Sequence, residues 1–280
     1  MKRKDFLQSV LGESAFIGLS LAACNEKESL QELVNNTKKK VTGNMFGFST
    51  DPIQKVRVGI IGLRKTGNLL IEMFQYLIEN EMAEIIAISD ILEEKVNKAA
   101  EKLATWQSKK PVLYYKSETE WKELGKRDDI DLVIIATPWD LHSPMAIYCM
   151  ENGKHVGSEV PIASSIEDCW KLIETAERTQ KHCMMMENCN YDEEELWVLN
   201  MIQEGVFGDI THTEGAYLHD LRALMLHETY YEGQWRLHEH AERNGNFYTT
   251  HGLGPISFYL GIGRGDTFSH LTSMSSRELN

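Results

Sequence analysis

The stretch Val56-Arg57-Val58-Gly59-Ile60-Ile61-Gly62-Leu63-Arg64-Lys65-Thr66-Gly67 decides the fold. A β-branched apolar run ends at Gly62, and Gly67 opens a helical pattern from Asn68 to about Asn80. The pattern predicts a buried parallel strand, a tight turn and a helix N-terminus. An α/β protein sets a dinucleotide pyrophosphate at such a place, on unpaired backbone N–H groups and the positive helix end. The match to G-x-G-x-x-G is incomplete, because Arg64 stands at the middle glycine.

The alternation continues downstream. Glu84–Asp90 reads as a second apolar strand closed by a carboxylate, about twenty residues past the glycine turn. An acid there can accept hydrogen bonds from the adenosine ribose and disfavours a 2′-phosphate, which favours NAD over NADP. Taken alone, Asp90 also reads as the N-cap of a helix over Ile91–Leu103. Further strands are predicted at Val112–Tyr115, Leu132–Ala136, Lys154–Val160 and His182–Glu187, with helices near Glu118–Leu124, Pro144–Glu151 and Ser165–Thr179. Repeated β-α units of this spacing predict a doubly wound parallel sheet, with ligands at the C-terminal strand ends.

After Asn188 the pattern changes. A helix over Asp192–Ile202 precedes Asp209–Tyr217, which alternates like a half-buried strand, and Ser269–Ser276 reads as another. These predict an incomplete α+β domain with an antiparallel sheet. His238 and His240 invite a metal reading, but i, i+2 histidines diverge on a helix and no third ligand is suggested, so no metal is expected.

Among 280 residues, 42% are hydrophobic and 25% charged, the mix of a globular protein. A net charge of −13 argues against nucleic acid, whose binding needs clustered Lys and Arg. No apolar run is long enough to span a bilayer. Cys149, Cys169, Cys183 and Cys189 read as reduced core residues. Cys24 differs: a basic start, a short apolar region and Leu21-Ala22-Ala23-Cys24 resemble a bacterial lipobox with a lipidated cysteine. Arg3-Lys4-x-Phe6-Leu7 resembles a twin-arginine export signal with lysine in second place. The division expected is a signal at 1–24, a tether at 25–53, an NAD-binding Rossmann domain at 54–188 and a partial substrate domain at 189–280. Export and a lipid anchor to a bacterial membrane follow as expectations, with the anchor as the sole membrane contact.

Several longer motifs together resemble one family. They are Thr137-Pro138-Trp139-Asp140-Leu141-His142, Glu159-Val160-Pro161, Glu187-Asn188-Cys189-Asn190-Tyr191, Glu214 through Leu221, Gln234-Trp235-Arg236-Leu237 and Tyr248 through Pro255. The superfamily is that of glucose–fructose oxidoreductase, and within it the motifs resemble glycoside hydrolase family 109, the NAD-dependent α-N-acetylgalactosaminidases of exported bacterial proteins. The resemblance implies release of terminal α-linked N-acetylgalactosamine from a glycan, by a retaining oxidation–elimination–addition–reduction route with NAD regenerated each turnover. That route is an exception to the two-carboxylate scheme of most glycosidases.

Carried over residue by residue, the resemblance sets NAD against Gly62, Lys65, Thr66, Gly67, Asp90, Trp139, Asp140, Leu141, His142, Glu159, Val160 and Asn188. It sets sugar against Tyr217, Arg236, Tyr248, Thr249, Thr250 and His251. His251, Tyr191 and Glu159 are the catalytic candidates: imidazole titrates near neutral pH and suits proton transfer, Tyr191 can carry a proton at C2, and Glu159 can serve the leaving oxygen. Against this, a lone histidine is usually structural, and Tyr217 on an alternating strand reads equally as core. The chain departs from the family at Arg64 and Thr66 and stops short of its length. A sugar dehydrogenase of the same superfamily and an inactive NAD- or sugar-binding remnant are the alternatives; Val160 replaces the lysine of the dehydrogenases. An oligomer is left open.

Overall fold

The structure is a computed structural model that describes residues 42–243 and 245–275. Cys24, the export signal and the tether up to residue 41 lie outside the described residues. Six strands form one parallel sheet: β1 (Val56–Ile61), β2 (Ala83–Ser89), β3 (Val112–Tyr114), β4 (Leu132–Ile135), β5 (His155–Ser158) and β6 (Cys183–Met185), in the order β3-β2-β1-β4-β5-β6. Five helices connect them: α1 (Lys65–Glu79), α2 (Glu93–Leu103), α3 (Trp121–Gly125), α4 (Trp139–Glu151) and α5 (Ile166–Thr179). The strands are apolar because both faces are covered. On one face Ile60, Ile71, Ile85, Val96 and Leu103 pack together, and on the other Ile135, Ala146, Cys149 and Met150. The strand order reverses between β1 and β4, and a crevice opens there at the C-terminal strand ends.

Local chemistry sets the element ends. The Ser165 hydroxyl accepts a hydrogen bond from Asp168 N at 3.0 Å and caps α5. At the other end of α5, the Glu177 carboxylate accepts from Thr42 N at 2.6 Å and from Gly43 N. Phe48 then packs on His182, just before β6. Residues 42–48 are thereby pinned at the N-terminal edge of the sheet. Helix α4 begins at Trp139, five residues ahead of the expected Pro144. Pro144 lacks the N–H that would donate to the carbonyl of Asp140 one turn earlier, and the helix continues through it. Cys149 is in the core as expected, whereas Cys169 is exposed on α5.

Beyond β6 the chain forms a 3₁₀ turn (Asn188–Asn190), then α6 (Glu193–Gln203), α7 (Arg222–Met225), α8 (Trp235–Glu242) and α9 (Thr249–Tyr259). The antiparallel sheet expected here is absent among the described residues. Residues 209–217 and 269–275 are irregular and have no ladder partners. An alternating segment becomes a strand only when another edge accepts its backbone hydrogen bonds, and neither segment lies in a ladder with an edge of the sheet. No helix of the described residues is long and apolar enough to cross a membrane.

Candidate functional site

The crevice has two lobes that meet at the N-terminus of α1. One, of about 480 Å³, is lined by Gly62, Asp90, Ile91, Thr119 and Leu141. The other, of about 500 Å³, is lined by Lys65, Thr66, Trp139, Glu159, Val160 and Tyr248. Arg64, Ala136, Thr137 and Pro138 border both.

The glycine turn is built by close approach. Gly62 has φ +91°, and a Cβ there would lie 2.6 Å from the Ala136 backbone. A Cβ on Gly67 would lie 1.9 Å from the Gly62 carbonyl oxygen, so α1 seats only because that residue has no side chain. Arg64, by contrast, has φ −70°, ordinary for any residue. The turn therefore forms without the middle glycine, and the arginine stem occupies the strait between the lobes. The first N–H groups of α1 have no intrahelical acceptor and face the crevice. This cradle, at the junction of two lobes of matched size, fits the pyrophosphate and the two nucleoside halves of NAD.

Asp90 is buried, and its carboxylate brackets the turn. Oδ2 accepts from Leu63 N at 2.7 Å and Oδ1 from Leu92 N at 2.9 Å. The N-cap of α2 is Leu92, so the expected capping alternative for Asp90 is corrected. His142 sits beneath the junction with Nδ1 2.7 Å from the Pro161 carbonyl and Nε2 2.7 Å from the Thr137 carbonyl. Burial lowers its pKa, against the pull of the two carbonyls. It joins the two turns that line the crevice and borders the second lobe itself. Asp140 and Asn188 are exposed and line neither lobe.

The far wall of the second lobe is aromatic. Trp139 packs on Trp235, Phe247 and Tyr248 at centroid distances of 5.1, 5.8 and 5.4 Å. Tyr248, Tyr217 and His251 form a three-ring cluster with centroids 5.0–5.3 Å apart. Arg236, 6% exposed, lies over Tyr248, Tyr231 and Trp139, and its Nη1 donates to the Tyr231 hydroxyl at 2.9 Å. Across this wall a pocket of about 250 Å³ is lined by Tyr217, Arg236 and Tyr248 together with Asp220. Thr249 is exposed, while Thr250 buries a hydroxyl that has no partner among the described residues. Glu159 sits at the end of β5 on the floor of the second lobe. Burial raises its pKa above 4.5 and Glu187 adds repulsion, while the Val160 N–H and His251 pull it back.

Glu159, Arg236 and Tyr248 line one end of the second lobe, with Tyr217 and His251 packed against Tyr248. Tyr191 is outside that group: its ring is 49% exposed and packs edge-on against Phe258 at 6.0 Å. The sequence reading passed over Glu187, which is 1% exposed at the end of β6 and lies 2.5 Å from His251 Nδ1. A carboxylate closing an apolar strand at the ligand end of the sheet was the available signal. Glu187, Cys189 and His251 group their ligand atoms within 4.8 Å. The 2.5 Å separation is a hydrogen bond, too short for two ligands on one zinc ion, which sit about 3.3 Å apart at Zn–N and Zn–O lengths near 2.0 Å.

An open parallel sheet with a helix N-terminus at its switch point and a two-lobed crevice defines a dinucleotide-binding protein of the Rossmann type. Residues 56–187 match the oxidoreductase family with an NAD-binding Rossmann fold, and residues 191–280 match the C-terminal domain of glycosyl hydrolase family 109. A protein of Shewanella oneidensis named alpha-N-acetylgalactosaminidase is 45% identical over 99% of this chain and 59% of its own length. A glycosyl hydrolase family 109 protein of Shewanella sp. strain MR-4 is 49% identical over 86% of this chain and 52% of its own. A solved structure, a probable dehydrogenase from Thermotoga maritima, is 25% identical with a TM-score of 0.48, over 55% of this chain and 42% of that one. The chain is similar to the proteins of glycosyl hydrolase family 109. It spans about half the length of the curated relatives it matches.

Proposed function

We propose that this chain carries the cofactor lobe and part of the sugar wall of an NAD-dependent glycosidase that releases terminal α-linked N-acetylgalactosamine. The observation that carries the reading is one of placement. The α1 N-terminus, the Glu159 carboxyl and Tyr248 line one lobe of the crevice, and Tyr217 and His251 pack against the Tyr248 ring. The name of the Shewanella oneidensis relative supplies the substrate class.

NAD, when bound, supplies a hydride acceptor for a sugar hydroxyl and later returns the hydride. Gly62, the α1 N-terminus and Asp90 hold its pyrophosphate and adenosine side. His251 takes a proton from the sugar, with its ring plane fixed by Tyr217 and Tyr248. Glu159, kept protonated to higher pH by burial, donates to the leaving oxygen. Arg236 and Tyr248 orient the sugar against the wall. Val160 is 5% exposed, so the position where the dehydrogenases carry lysine offers no ammonium to the crevice, which disfavours net sugar oxidation.

Calorimetry with NAD tests the cofactor half: saturable binding is expected, and none would overturn it. For the reaction, an aryl α-N-acetylgalactosaminide turned over in D2O should yield sugar deuterated at C2 without net NADH. Released sugar without C2 deuterium would overturn the elimination route. Net NADH would assign the chain to the dehydrogenases.

A further inference from the structure

Strand β6 is a short apolar run, and the chain turns sharply after it through the Asn188–Asn190 3₁₀ turn. Glu187 is the last residue before that turn, so its side chain is delivered inward at the ligand end of the sheet. Burying a carboxylate this completely is costly unless it is hydrogen-bonded. Glu187 Oε1 accepts from Cys189 N at 3.2 Å and faces His251 Nδ1 at 2.5 Å, while Oε2 has no partner among the described residues. A carboxylate bonded mainly through one oxygen is a weak device for stability. It is a good device for setting a ring.

The helix that carries His251 comes close enough because of a glycine. A Cβ on Gly254, one turn along α9, would lie 3.0 Å from Glu187 Cγ and 2.4 Å from Asn190 Oδ1. The Cys189 sulfur lies 3.5 Å from His251 Nδ1, on the side where the carboxylate reaches it. Burial raises the Cys189 thiol to about 11, so it stays neutral and does not compete as an anion. Tyr217 and Tyr248 hold the ring on its other sides.

We propose that Glu187 is the positioning residue of His251: it holds the imidazole proton on Nδ1 and leaves the Nε2 lone pair for the substrate. The proposal rests on the glycosidase reading for its purpose but not for its geometry. Neutral imidazole has one N–H, and a carboxylate at Nδ1 selects the tautomer that donates to it. When Nε2 takes a proton, the same carboxylate stabilises the imidazolium, as an orienting acid does in a nucleophile–base–acid triad. The bond also spans the two matched segments, since Glu187 closes the Rossmann match and His251 lies in the second. Purely structural glue would give the same contact but would not need a defined tautomer.

The full chain, labelled with 15N-histidine and free of cofactor and sugar, tests this by the Nδ1 and Nε2 chemical shifts of His251 in alkaline buffer. The assignment comes from the signal lost in His251→Gln. Wild type is expected to show the Nδ1–H tautomer, and Glu187→Gln a mixture of the two, with NAD affinity kept within about threefold as evidence of an intact cofactor lobe. A wild-type Nε2–H tautomer, or an unchanged tautomer in Glu187→Gln, would overturn the proposal. If Glu187→Gln fails to fold, the wild-type tautomer decides alone. Where the chain releases sugar, Glu187→Gln should lower kcat about 100-fold with KM within about threefold, and add little to His251→Gln. Absence of sugar release would count against the glycosidase reading and leave the tautomer result standing.

Discussion

The guanidinium of Arg236 stands 4.5 Å from the ring centre of Tyr248, and the pair forms a wall with the 500 Å³ lobe on one side and the 250 Å³ pocket on the other. Burial pushes the Tyr248 hydroxyl above 10, with the Arg236 charge pulling the other way. The planar cation spreads over three rings, which an ammonium cannot do. Arg236→Lys should therefore raise KM for an aryl α-N-acetylgalactosaminide by about tenfold or more. It should also destabilise the fold by about 1–2 kcal/mol in urea titration, the scale of a desolvated cation–π contact. Unchanged KM and midpoint would remove Arg236 from the wall.

Gly67→Ala tests the seating of α1. Its Cβ would meet the Gly62 carbonyl oxygen at 1.9 Å and the carbonyl carbon at 2.8 Å, and backbone atoms cannot swing aside as a flexible side chain can. A loss of about 3 kcal/mol is expected from such overpacking, together with loss of NAD binding in calorimetry. Wild-type stability would show that the turn can re-form around a methyl group.

Arg64→Gly acts through the side chain alone, since the backbone at Arg64 is unstrained. Removing the stem opens the strait between the lobes and lets a pyrophosphate reach the backbone N–H groups, each worth about 1.5–3 kcal/mol to a charged partner. NAD should bind at least about tenfold more tightly, measured by calorimetry. Weaker binding would identify Arg64 as a phosphate ligand in a rebuilt turn.

Glu159→Gln reports on the buried carboxyl. Its folded-state pKa lies above 4.5, so the folded chain holds that proton more tightly than the unfolded chain. The stability this gives is complete below the ordinary value and is lost as pH rises through the raised one. The glutamine variant cannot ionise. Its urea midpoint should therefore match wild type in acid and exceed it at neutral pH. A constant difference across pH would mean that the carboxyl is not desolvated.

The Rossmann half was legible because buried parallel strands are bare apolar runs, as in Glu84–Ser89 and Leu132–Ile135, broken by amphipathic helices. Gly62 and Gly67 marked the turn because close backbone approach demands them. Residues 209–217 misled for a simple reason: alternation reports which side chains prefer burial, not whether a second strand edge is there to pair. Glu187 was missed because its partner is His251, 64 residues later, and only the β6–α9 approach across Gly254 brings them together. Tyr191 carried weight from its neighbours in the motif, yet its ring packs against Phe258.

The docking of residues 42–48 onto Glu177 and His182 fixes the direction from which the chain enters the fold. That entry point is at the N-terminal edge of the sheet, whereas the crevice opens at the C-terminal edge. Thr42, the first described residue, is therefore on the pole of the molecule opposite the crevice. A partner bound at that pole would leave the mouth of the crevice uncovered.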